Sequence, residues 1–153
     1  STTRPTMYKR ILIPVDGSPL SKKAIREGVK IAKLSGAKVT GFFSPPEYEV
    51  LIYGEYVPPD LMTRDEYDER AGRQADKILA GVIKEAEAAG VAVDTVVAAS
   101  RMPWEAIVET ARKKRCDLIV MASHGRKGLA GVLLGSETTK VLTHTKVPVL
   151  VVR

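Results

Sequence analysis

Ile11-Leu12-Ile13-Pro14-Val15, followed by the turn Asp16-Gly17-Ser18, is the stretch that decides the fold of this chain. Five apolar residues in succession are typical of a strand that is covered on both faces, as in a parallel sheet. The turn offers a serine that can cap a helix and a proline that suits the first helical position. We therefore predict a strand over 8–15 and a helix over 19–35.

The same alternation of strand and helix continues to the end of the chain. Each strand–helix–strand step implies a right-handed crossover in a parallel sheet. The sequence therefore predicts an α/β fold with a doubly wound open parallel five-stranded sheet and helices on both faces. The remaining predicted elements are strands over 37–43, 91–99, 117–122 and 147–152, and helices over 63–89, 103–114 and 136–144, the last capped by Ser136.

Length and composition suit one domain, which we place at residues 8–153 after a flexible N-terminus at 1–7. The formal charge is +6, but the densest basic run, 112–115, ends a predicted helix, where cations complement the helix dipole. No apolar run approaches the ~20 residues of a membrane span, and the single cysteine, Cys116, excludes an internal disulfide. We expect a cytoplasmic protein without nucleic-acid or membrane partners.

An irregular stretch at residues 44–62 separates the second strand from the second helix. Two proline pairs exclude a regular helix or an inner strand there. The stretch is long for a loop, and long loops are usually lids or partner-binding segments. Because it also carries apolar residues and three tyrosines, we expect it to pack on the domain or on a second subunit. The tyrosines are Tyr48, Tyr53 and Tyr56.

The strongest chemical signal is the glycine-rich segment from Ala122 to Ser136. It begins where a buried strand ends and finishes where a helix begins, so it lies where ligands bind in such sheets. Glycines let backbone N–H groups approach an oxyanion, and the helix N-terminus adds further donors and a positive dipole end. Hydroxyls of Ser136 and Thr138, with the charges of Arg126 and Lys127, complete a candidate phosphate cradle. The spacing is that of neither a P-loop nor Gly-x-Gly-x-x-Gly.

Gly125, nine intervening residues, Gly135 and Ser136 resemble the nucleotide-binding signature of the universal stress protein family, Gly-x2-Gly-x9-Gly-Ser/Thr. Ala122 stands where that signature begins with glycine. The resemblance extends over 8–153 and includes the opening block 11–18, the block 117–125 and the closing block 147–152. Three separated blocks in the same order make coincidence a poor explanation.

The resemblance implies a sheet order of 3-2-1-4-5 and a stress-response or signalling module that binds ATP or AMP, with any Mg²⁺ carried by the nucleotide. It also implies a homodimer formed through the last strand. Carried over by position, the residues that would contact the nucleotide are Pro14, Val15, Asp16, Ser44, Met121, Ala122, Gly125, Arg126, Gly135, Ser136, Glu137 and Thr138.

Two of these positions carry specific expectations. Ala122 is tolerated in place of glycine if it ends a strand at negative φ, and we expect that geometry. Glu137 puts a carboxylate in the first turn of the last helix, where it favours the dipole. That carboxylate would repel a triphosphate unless it points away or meets Mg²⁺.

No residue pattern indicates a fast enzyme. His124 and His144 belong to no evident triad or metal cluster, and Cys116 suits a small apolar filler. We expect binding with at most slow ATP hydrolysis. The alternative is a dimeric partner-binding member of the same family with an empty nucleotide site. A phosphorylated receiver domain fits poorly, because no aspartate follows the third predicted strand, which ends Ala98-Ala99-Ser100.

Overall fold

The computed structural model describes residues 7–48, 63–125 and 134–153. Within these ranges the chain forms strands and helices in alternation, as the sequence predicts. The strands are β1 (Arg10–Pro14), β2 (Lys38–Phe43), β3 (Val93–Val97), β4 (Leu118–Ala122) and β5 (Val149–Val152). The helices are α1 (Pro19–Ser35), α2 (Arg64–Ala88), α3 (Pro103–Lys113) and α4 (Ser136–His144).

All strand pairs are parallel, and the sheet order is β3-β2-β1-β4-β5. This confirms the predicted doubly wound sheet. The chain first winds from β1 through β2 to β3, then crosses to β4 on the other side of β1. The strand order thus reverses between β1 and β4, and the carboxyl ends of these two strands mark the expected ligand-binding edge.

Local chemistry fixes most helix ends. The Ser18 hydroxyl accepts a hydrogen bond from the Ser21 N–H at 3.1 Å, and Gly36 ends α1 in the left-handed region at φ 70°. Thr63 forms a complete capping box with Glu66 at the start of α2. The predicted Ser136 cap is wrong: extended Gly135 is the N-cap of α4, and Ser136 is its first helical residue.

The core has one layer on each face of the sheet. On one face α1 and α2 cover Ile11, Ile13 and Val39, and on the other face α3 and α4 cover Leu12 and Phe42. Ile11, Leu12 and Ile13, which point to alternate faces of β1, are all fully buried, which explains the apolar run at the centre of this strand. The helix layer approaches the sheet closely at Gly28 of α1, where an added Cβ would lie 2.5 Å from the Ile13 Cδ1 atom.

The described part of the long loop packs on the domain. The Tyr67 hydroxyl donates to the Pro46 carbonyl, and the Tyr48 and Tyr67 rings lie 5.4 Å apart. Arg101 forms an ion pair with Glu47 at 3.1 Å. The prediction of packing is therefore confirmed for residues 44–48, whereas Tyr53 and Tyr56 lie outside the described residues.

Asp94 holds together the amino-terminal edge of the sheet, opposite the ligand-binding edge. Its carboxylate accepts hydrogen bonds from the Thr40 hydroxyl at 2.5 Å and from Lys114 at 2.8 Å, and it pairs with Lys38 at 3.2 Å. Burial opposes ionisation of this carboxyl, but the bonds from Lys114, Thr40 and Lys38 outweigh it and hold its pKa below the ordinary value.

Cys116 is buried beside this edge and packs in the α3–α4 layer. Burial, with the nearby charges of Asp117 and Asp94, raises the pKa of its thiol to about 11. This confirms the prediction of an apolar filler. None of the helices in the described residues is long and apolar enough to cross a membrane.

Candidate functional site

A cleft opens at the carboxyl ends of β1, β2 and β4, between the first turns of α3 and α4. The cleft is open to solvent on one side, and its volume is about 220 Å³, somewhat below the roughly 300–1,000 Å³ of typical small-molecule sites. The described residues that line it are Pro14, Val15, Asp16, Ser21, Phe42, Phe43, Ser44, Pro103, Ile107, Met121, Ala122, His124, Gly125, Glu137 and Thr138.

The inner wall of the cleft is apolar. Phe42, Ile107 and Met121 come from three different elements and belong to one core layer beneath the cleft. Beside this wall, the Ser44 Oγ atom is shielded from water and has no hydrogen-bond partner among the described residues. A buried hydroxyl without a partner is costly, and a ligand atom that hydrogen-bonds to it would relieve that cost.

Asp16 and Gly125 face each other at the opening of the cleft. The Ser18 N–H donates to Asp16 Oδ1 at 2.9 Å, and the Asp16 N–H donates to the Ser21 hydroxyl at 3.2 Å. These bonds hold the aspartate at the end of β1. An added Cβ on Gly125 would lie only 2.4 Å from Asp16 Oδ2, so this position accommodates glycine because the carboxylate is packed against it.

Gly135 brings the start of α4 against the end of β4. Its N–H donates to the Ser123 carbonyl at 2.6 Å, and an added Cβ would lie 3.2 Å from the His124 Cα atom. Its φ is −72°, so close approach, and not a left-handed conformation, makes glycine suitable here. Because Gly135 has no side chain to cap α4, the first N–H groups of this helix have no capping side chain among the described residues.

Thr138 ties α4 to the strand beside the cleft. Its hydroxyl donates to the Ala122 carbonyl at 2.9 Å, and its side chain is buried. The hydroxyl proton is therefore used within the protein, which corrects the expectation that Thr138 donates it to a phosphate. Ala122 is the last residue of β4 and is not among the residues at positive φ, so the expected strand-end geometry is confirmed.

Glu137 points from the first turn of α4 to the first turn of α3. Its Oε2 atom accepts a hydrogen bond from the backbone N–H of Trp104 at 2.7 Å. The N-cap residue of α3 supplies no side-chain cap, so Glu137 takes that place. The Trp104 ring also stacks on His144, with ring centroids 4.3 Å apart. The two helices that border the cleft are thus joined by a carboxylate and by a ring pair.

The structure brings together most of the twelve residues that the family resemblance implies as nucleotide contacts. Nearly all of them line the cleft, while Gly135 and Ser136 form the adjoining helix start and Arg126 lies outside the described residues. The sequence analysis missed Ser21, Phe42, Phe43, Pro103, Ile107 and His124 as lining residues. Their signal was weak, because each is an ordinary core, cap or turn residue until the chain folds.

Carboxylates of Asp16 and Glu137 are the acidic groups of the described cleft wall, and oxygen ligands of this kind suit Mg²⁺. No group of three or more His, Cys, Asp or Glu side chains placed to hold a metal occurs in residues 7–48, 63–125 and 134–153.

Comparison with known proteins agrees with this geometry. The family model described as universal stress protein family matches residues 7–153. The universal stress protein MJ0531 of Methanocaldococcus jannaschii is 35% identical over 96% of this chain and 83% of its own length. Among solved structures, hypothetical protein MJ0577 of the same organism superimposes with a TM-score of 0.79 at 30% identity, covering 95% of this chain and 96% of that one.

A further solved structure is a universal stress protein in complex with cAMP. It is 26% identical, with a TM-score of 0.71, and the match covers 95% of this chain and 97% of that chain. The family model, the curated relative and the solved structures all span nearly the whole chain. This chain belongs to the universal stress protein family.

Proposed function

We propose that the cleft binds an adenine nucleotide, AMP or ATP, and that the chain acts as a stress-response or signalling module. The observation that carries this proposal is the helix start at Gly135, which has no capping side chain and lies beside an apolar cleft. Such a helix start offers N–H donors and a positive dipole end to a phosphate. The related structure in complex with cAMP supports an adenine ligand.

The cleft has matching surfaces for both halves of a nucleotide. A purine base is flat and largely apolar, which suits the wall formed by Phe42, Ile107 and Met121, and the Ser44 hydroxyl would meet a polar edge of the base. Phosphate oxygens would accept hydrogen bonds from the first turn of α4. Asp16, held at the end of β1, lines the same cleft, and we expect it to face the ribose.

The proposal is binding with at most slow hydrolysis. At the edge of the cleft, the Nδ1 atom of the lining residue His124 lies 3.2 Å from the Oγ atom of Ser123. Ser123 does not line the cleft and is only 2% exposed, so its hydroxyl is not offered to a substrate as a nucleophile. Purified protein should hydrolyse ATP more slowly than about one turnover per second, an ordinary enzyme rate. A faster rate, absent from a Gly135→Val variant prepared in parallel, would contradict this.

Two measurements test nucleotide binding. Mass spectrometry of small molecules released from the purified protein should find an adenine nucleotide, or calorimetric titration with AMP and Mg-ATP should show one site per chain. Gly135→Val should abolish the binding, because its side chain would collide with the His124 backbone. Gly72→Ala is the matched control, since an added Cβ there meets nothing within 4 Å. No ligand by either method would favour the empty-site alternative.

We also propose that two copies of the chain pair through β5. This strand is an edge of the sheet, and proteins rarely leave an apolar edge bare. Leu150 on β5 and Leu142 on α4 are 38% and 41% exposed in the single chain. Sedimentation at micromolar concentration should give a dimer, and Leu150→Lys should shift it to monomer. A wild-type monomer at that concentration would contradict the pairing.

A further inference from the structure

We infer that Glu137 is a specificity-determining residue that disfavours nucleotides with long phosphate chains. This inference rests on the proposed function and assigns to the cleft a preference in the number of ligand charges. The carboxylate is in the first turn of the helix that would receive the phosphates, and it lines the cleft. It therefore acts on any charge that enters there.

The carboxylate is fixed in place by α3. Its bond to the Trp104 N–H is 2.7 Å long, and α3 has no side-chain cap at Met102 that could replace it. Swinging the carboxylate away from an incoming phosphate would leave the start of α3 without this acceptor. Glu137 thus occupies the α3 N-terminus as a built-in anion, whereas the α4 N-terminus receives no capping side chain from the described residues.

The described cleft wall carries more acidic than basic side chains, which also disfavours highly charged anions. Asp16 and Glu137 are acidic, and His124 is the one basic residue among the described lining residues. Arg126 and Lys127 follow in the sequence, outside the described residues, and would favour phosphates in general. Glu137 then determines how strongly each additional negative charge is opposed.

The size of the effect follows from Coulomb's law. A glutamate side chain places its carboxylate roughly 7 Å from a group bound at the start of its helix, as estimated from helix dimensions. For an effective dielectric constant of about 40 to 80, one additional unit charge at that distance changes Kd by about three- to eightfold. The effect is large enough to separate AMP from ATP in an ordinary titration.

The test compares wild type with Glu137→Gln and Glu105→Gln by calorimetric titration of AMP, ADP and ATP in buffer with EDTA, and of Mg-ATP in a parallel titration without EDTA. Glutamine keeps an oxygen acceptor for the backbone N–H of Trp104. Trp104 is the only tryptophan of the chain, so an unchanged emission spectrum shows that the start of α3 keeps its indole ring in the same surroundings. Glu105→Gln makes the same charge change in the first turn of α3, at a residue that does not line the described cleft.

We expect the ratio of the ADP Kd to the AMP Kd, which differ by one charge, to fall by about three- to eightfold in Glu137→Gln. The ratio of the ATP Kd to the AMP Kd should fall further, because ATP carries two additional charges, and both ratios should stay unchanged in Glu105→Gln. The difference between wild type and Glu137→Gln should shrink in 1 M salt, where the Debye length is about 3 Å. This salt dependence supports the inference even if the substitution shifts the emission of Trp104.

Three results would overturn the inference while leaving nucleotide binding intact. They are an unchanged ratio in Glu137→Gln, an equal change in Glu105→Gln, and weaker binding of Mg-ATP in Glu137→Gln, which would assign the carboxylate to the metal. If wild type binds none of the three nucleotides, the proposed function fails and this inference fails with it.

Discussion

Replacing Gly28 with alanine should destabilise the protein, whereas the same replacement at Gly72 should stabilise it. Both glycines lie within helices, so both substitutions gain helix propensity, about 1 kcal/mol relative to glycine. They differ only in their surroundings. Gly28 is buried against the sheet, and Gly72 has nothing within 4 Å of an added Cβ.

The added methyl group at Gly28 would lie 2.5 Å from Ile13 Cδ1, 3.0 Å from Ile13 Cγ1 and 3.5 Å from Val120 Cβ. Carbon atoms in contact are about 3.5–4.0 Å apart, so Ile13 would have to retreat by roughly 1 Å. Ile13 and Val120 are both fully buried. Overpacking of this kind costs about 1–3 kcal/mol, which exceeds or cancels the gain in helix propensity.

Because helix propensity is common to both variants, their difference in unfolding free energy isolates the packing cost, about 2 kcal/mol at mid-range. For a chain of this length that corresponds to melting temperatures about 4–8 °C apart. Thermal unfolding followed by circular dichroism measures it. Equal increases in melting temperature for both variants would refute the close approach of α1 to β1 at Gly28.

Three more predictions concern the edges of the sheet. Asp94→Asn should lower the free energy of unfolding by about 1 kcal/mol at neutral pH. Because the pKa of Asp94 is lowered in the folded protein, its contribution is present above the unfolded value of 3.8 and disappears as pH falls through the folded pKa. Urea unfolding should therefore separate wild type from variant at neutral pH but not at low pH, and a difference that persists in acid would refute this. Cys116, with a thiol pKa of about 11, should react with a disulfide reagent at pH 8 only after unfolding, and rapid reaction of the native protein would contradict its burial. Gly125→Ala should weaken AMP binding by about tenfold, the loss of one hydrogen bond, because its Cβ would displace the Asp16 carboxylate; an unchanged calorimetric Kd would show that this contact is unimportant.

The parts of this structure that follow from short-range chemistry were predictable from the sequence. The Ser18 cap and the Thr63 capping box join residues three apart, so the chain itself brings the partners together. The apolar runs of β1 and β4 indicated strands buried on both faces, and such strands form the centre of the sheet. The strand order itself needed the family resemblance, because alternation alone does not order the strands.

Contacts between distant elements were not predictable in this way. The Glu137 carboxylate meets the Trp104 N–H across 33 residues, and only the packing of α3 beside α4 brings them together. The Ser136 cap failed because both serine and glycine begin helices, and the close approach of Gly135 to His124 decided between them. In the sequence, Ile107 is indistinguishable from any other apolar helix residue, and only the position of α3 beside the cleft makes it a lining residue.

A crystal structure of the chain grown with saturating AMP tests the central claim most directly. The account predicts the phosphate within hydrogen-bond distance of the first N–H groups of α4, and the base against the wall of Phe42, Ile107 and Met121 with a polar atom bonded to the Ser44 hydroxyl. AMP bound elsewhere on the chain, or a cleft that stays empty at saturating AMP, would contradict it.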